Sequence, residues 1–108
     1  MSRTVRVRWP RVSSGWRNFN WAGVIDAKSV VHISASEANP LPGGLGSPLD
    51  GISKHRGDAT IYVKNVVPHA DQGGGGGVEF FVQVDYDHPL DIVTDITVED
   101  PPEQGVIV

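Results

Sequence analysis

The densest run of ionisable side chains is Asp85-Tyr86-Asp87-His88-Pro89-Leu90-Asp91. Asp85 and Asp87 stand two apart, so an extended chain projects both from one face. Hard carboxylate oxygens placed that way suit Ca²⁺, and the imidazole of His88 adds a nitrogen for a transition metal. Asp85, Asp87 and His88 are therefore the expected ligands if the chain holds a metal at all. EF-hand spacing is absent, and Asp, His and Pro are equally the residues of a plain turn between two strands. The expectation is no cofactor, with Ca²⁺ as the alternative.

Other catalytic chemistry finds little support. There is no cysteine, which removes thiolate nucleophiles, thiolate metal sites and disulfides. His32, His55 and His69 show no zinc-pair spacing. Ser13-Ser14-Gly15 is not a nucleophile elbow, and the glycine run 73–77 lacks the Lys-Ser/Thr of a phosphate-binding loop. A non-catalytic reading is favoured over an enzyme. Arg56-Gly57-Asp58 spells a cell-attachment tripeptide, but a turn leading into the next strand explains it as well.

All three tryptophans fall between Trp9 and Trp21. Within that segment Trp16, Asn18, Phe19, Asn20 and Trp21 interleave rings with amides, the pairing that stacks on a sugar ring and hydrogen-bonds its hydroxyls. The competing reading makes Trp9 and Trp21 core residues of the first strands, with Trp16 at the end of the fold.

The elements that must position these groups have a period of two almost everywhere. Val5, Val7 and Trp9 alternate with Arg6 and Arg8; Val31, Ile33 and Ala35 with His32 and Ser34; Ala59, Ile61 and Val63 with Thr60 and Tyr62. Val78 to Tyr86 and Leu90 to Val98 continue the pattern, and Trp21 to Ile25 is a shorter candidate. No segment carries the 3.6 period of an amphipathic helix. The reading is one all-β domain over residues 1–108: an antiparallel two-sheet sandwich, immunoglobulin-like or jelly-roll, of about six or seven strands. Loops at 39–57 and 68–77, dense in glycine and proline, are expected to be flexible. The cleanest alternation lies between Val78 and Val98, so these two strands are expected to form a central hairpin. Phe81 and Val93 interrupt its polar face, and with Tyr62 they form an expected contact patch for a protein partner or a second copy.

Charge sharpens this picture. The net charge is −4, which disfavours nucleic acid as a partner. Yet Arg3, Arg6, Arg8, Arg11 and Arg17 crowd the first seventeen residues, while eight of the thirteen acids lie in the last thirty. A basic first strand beside an acidic last strand is the simplest account; head-to-tail contact between subunits is the other. No apolar run is long enough to span a bilayer and no leader is visible, so a cytoplasmic location without membrane contact is expected. The leading functional expectation is a binding or assembly module making protein contacts. A carbohydrate-binding module is the second, and a metal protein or small enzyme the third.

Overall fold

The computed structural model describes residues 2–41 and 51–108. Its strands are β1 (Arg3–Val12), β2 (Gly15–Asn20), β3 (Val30–Ala38), β4 (Lys54–His55), β5 (Thr60–Ala70), β6 (Gly76–Asp85) and β7 (Leu90–Glu99). Among the described residues there is no α-helix. The strands form two antiparallel sheets, in the orders β1-β7-β3-β4 and β2-β6-β5. One of the two is curled into a half-barrel.

The alternation read from the sequence builds the core. Val78, Phe80, Val82 and Val84 of β6 share an apolar cluster with Ile92, Ile96 and Val98 of β7, and Val5, Val7, Trp9, Ile33, Ile61 and Val63 pack around it. Phe80 meets Trp9 edge-on at 6.0 Å between ring centroids. Thr94 is the buried polar residue of this layer; its hydroxyl accepts the indole N–H of Trp9 at 2.8 Å. Without that bond, the indole N–H would face an apolar environment unpaired.

Two bulges reset the alternation. In β1 the register slips between Trp9 and Val12, with Arg11 at φ 51°, so Val12 rather than Arg11 joins the core. Asp91 closes the bulge by accepting the Arg11 backbone N–H at 2.8 Å. In β5 the slip lies between Lys64 and Val67, with Asn65 at φ 54°. Asparagine tolerates this left-handed conformation better than most residues. As a result Val66 packs inward, while Val67 lies opposite Glu79 on the outer side.

The basic first strand does lie beside the acidic last one. β1 pairs with β7 along its length, and Arg6 grips Asp95 through two hydrogen bonds of 2.7 and 2.9 Å. Arg8 reaches Asp91 at 2.9 Å, and Lys54 adds a second cation to Asp95 at 2.8 Å. These cations hold the Asp95 carboxyl down at about 2, with the Arg6 hydrogen bond the main cause.

Several expectations are corrected. β6 and β7 are not a hairpin: each is a central strand of a different sheet, and residues 86–89 cross between them. Alternation reports which face of a strand is buried but not which strand lies beside it. Tyr86, which the alternation from Val78 places on the apolar face with Phe80, Val82 and Val84, lies in this crossing and is exposed. Trp21 to Ile25 is a turn rather than a strand; the amides of Val24 and Ile25 both bond back to the Trp21 carbonyl. Half of the expected loop 68–77 is sheet. β5 runs to Ala70, a 3₁₀ turn covers Gln72–Gly74, and β6 already begins at Gly76. Of the expected loop 39–57, residues 42–50 lie outside the described residues, and Lys54–His55 pairs with β3 as β4.

Candidate functional site

The outer face of the sheet β2-β6-β5 gathers residues from two separate sequence-based expectations. On β2 the odd positions turn inward, so Trp16, Asn18 and Asn20 face out. On β6 Phe81 stands between Trp16 of β2 and Lys64 of β5 in the register. Tyr62 occupies the next outer position on β5, and the Asn65 bulge delivers Val67 and His69 to the same face.

The apolar part of this face is broad and shallow. Trp16 is 53% exposed, Tyr62 45% and Val67 52%. The rings of Trp16 and Phe81 meet at 5.7 Å and 89°, an edge-to-face contact, and the Lys64 ammonium sits 4.9 Å from the centre of Phe81. An ammonium over an aromatic face is held by the ring quadrupole, leaving a positive charge fixed beside the aromatic pair.

A polar line borders it. The His69 ring lies 2.8 Å from Asp71 through Nδ1 and 2.7 Å from the Asn18 side-chain oxygen through Nε2. Asn18 in turn donates to Asn20 at 2.8 Å. Both imidazole nitrogens are therefore engaged within the chain. The line ties β5 to β2 across β6. It passes over Gly77, where an added Cβ would stand 2.5 Å from the Phe19 carbonyl oxygen and 2.7 Å from Asn20 Oδ1.

No protein-family model, curated protein or solved structure matches this chain.

The structure divides the expected sugar platform. Trp16, Asn18 and Asn20 lie together on the outer face, whereas Phe19 and Trp21 pack against the core. Those two rings meet at 6.2 Å, and the Arg3 guanidinium lies 5.4 Å from Trp21. It divides the expected partner patch as well. Tyr62 and Phe81 share the outer face, but Val93 belongs to the other sheet and is 0% exposed. Arg8 lies opposite Val93 in the register and pairs with Asp91, while Arg6 pairs with Asp95 on Val93's other side. Val93 is thus a residue within a charged lattice rather than a contact surface.

Asp85, Asp87 and His88 surround the crossing from β6 to β7. Asp85 accepts a hydrogen bond from Gln83 at 2.6 Å, and Asp87 lies 2.8 Å from His88 Nδ1. His88 also meets the Tyr86 ring at 4.8 Å. Among the described residues, no group of three or more His, Asp or Glu side chains is placed to hold a metal ion.

Sequence reasoning missed Lys64, Val67 and His69. Lys64 follows Tyr62 in the outward alternation of β5, and the signal for Val67 and His69 was the doublet Val66-Val67 after Asn65, a break in alternation that marks a bulge.

Proposed function

We propose that this chain is a non-catalytic β-sandwich binding module, and that the outer face of β2-β6-β5 is its contact surface for a protein partner. The observation that carries this reading is the spread of exposed Trp16, Tyr62 and Val67, with Phe81 between them, over all three strands of one face. Protein interfaces concentrate Trp, Tyr and Phe at their centre and surround them with polar groups, as the Asn18–His69–Asp71 line and Lys64 do here. A photo-crosslinking residue placed at Tyr62 tests it in cells. Protein adducts at position 62, absent when the same residue replaces exposed Lys28, support the reading; equal adducts or none at both positions overturn it.

A saccharide is the second reading, favoured by one observation: Trp16 shares its face with Asn18 and Asn20 at alternate positions of a single strand. A ring with amides beside it suits a sugar's apolar face and its hydroxyls. Titrating the protein with a sugar panel while following tryptophan fluorescence separates the two. A saturable change that Trp16→Ala abolishes selects the saccharide.

A further inference from the structure

The two sheets are not closed alike at their two sides. On one side β3 lies against β5, so the sheets meet there. On the other side stand β1 and β2, each an outermost strand of its own sheet, and these do not pack along each other. Among the described residues, each sheet thus offers an unpaired backbone edge to the same opening. Val5, Val7, Trp9 and Phe19 reach the core from these strands but remain half-exposed. The opening is basic. Arg3 stands at one end over Trp21, and Arg11 and Arg17 at the other, and none of the three has an ion pair among the described residues.

The chain also carries a segment with matching features. Val106, Ile107 and Val108 are exposed, Ile107 fully, and join no strand. Consecutive β-branched residues are the composition of a strand, and Glu103 precedes them. Pro101 to Gly105 border the same cleft as Ala27 and Lys28, next to the start of β3. That course leads away from the chain's own β1, which lies on the far side of β7.

We propose that residues Gly105–Val108 of one copy add as a strand to the β1 edge of a second copy, so that the chain self-associates through this segment. The backbone edge supplies the hydrogen bonds, and Ile107, between the oppositely directed Val106 and Val108, covers the half-exposed rim of the core. Glu103 meets the unpaired arginines, which sets the choice of this edge over the others. This surface is separate from the outer face of β2-β6-β5, and the inference does not depend on that reading.

Sedimentation velocity over a concentration series of the full chain tests it. The wild type is expected to associate as concentration rises, and added salt to weaken the association. Ile107→Asp should weaken it roughly tenfold to a hundredfold, the effect of removing one buried isoleucine. Ile107 makes no intrachain packing, so this variant should keep the wild-type circular dichroism. In isotope-labelled protein, amide shifts that move with concentration should cluster at Arg3–Trp9. Phe81→Ser should associate as the wild type does. A wild type that stays monomeric, association that survives Ile107→Asp, or association lost in Phe81→Ser would each overturn the proposal.

Discussion

His69 on β5 and Asn18 on β2 meet at 2.7 Å although a whole strand lies between their own. The contact runs diagonally, from His69 opposite Gly77 to Asn18 opposite Glu79, and Gly77 raises no side chain beside it. The glycine run is in this respect part of the sheet rather than a tether. Gly77→Ala is expected to destabilise by about 1–3 kcal/mol, as overpacking against backbone does. Asn18→Ala, which removes the exposed bonds to His69 and Asn20 and adds no bulk, should cost about 1 kcal/mol. Urea unfolding of the two variants gives the comparison; equal costs would mean that the steric role of Gly77 is negligible.

Asp95 makes folding pH-dependent with a definite sign. Its carboxyl titrates at about 2 in the folded chain against 3.8 for an ordinary aspartate. The folded state therefore gains stability from this group above pH 3.8 and loses it as pH falls through about 2. Arg6 and Lys54 are both partly exposed, so screening keeps the contribution near 1 kcal/mol. Asp95→Asn should lose that amount at pH 7, and its stability curve should converge on the wild type below pH 2.

The Trp9–Thr94 bond predicts a cost from a nearly isosteric change. Thr94→Val fills the same space but leaves the indole N–H without its acceptor. The expected loss is about 1–2 kcal/mol in thermal or urea unfolding. Trp9→Phe in the same background should recover part of it, because no donor is then stranded.

Phe81 and Val93 look equivalent in the sequence and should behave differently. Val93→Ser places a hydroxyl in a closed site and is expected to cost about 2–3 kcal/mol. Phe81→Ser acts on the outer face and should cost about 1 kcal/mol while reducing partner capture. Denaturation midpoints together with crosslinking yields distinguish the two.

The strand faces were legible because one-sided burial writes itself as alternation, and Val78 to Val84 shows it most clearly. The pairing of the charged end strands was legible for a similar reason: opposite charges at matched spacing, here Arg6 with Asp95 and Arg8 with Asp91, stabilise only when adjacent. Strand neighbours were not legible. Nothing in Asp85-Tyr86-Asp87-His88-Pro89 distinguishes a hairpin turn from a crossing between sheets, since both need the same turn residues. The outer face of β2-β6-β5 was half legible. Trp16, Asn18, Tyr62 and Phe81 stood out by type, but Val67 and His69 reach that face only through the Asn65 bulge. Val93 was misplaced because an apolar residue between charges resembles an exposed one until the arginines of the neighbouring strand are set beside it.

The crossing between β6 and β7 has a consequence for the order of events during synthesis. By Asp85 every strand of the β2-β6-β5 sheet has been made, and its β5–β6 pair is joined by a short turn. The other sheet has by then only the two-residue pairing of β4 with β3. β1 and β3 never touch as neighbours; each leans on β7, and Arg6 must wait across 89 positions for Asp95. A ribosome would thus release half of the fold early, while the arginine-rich first strand stays unsatisfied until the last strand emerges.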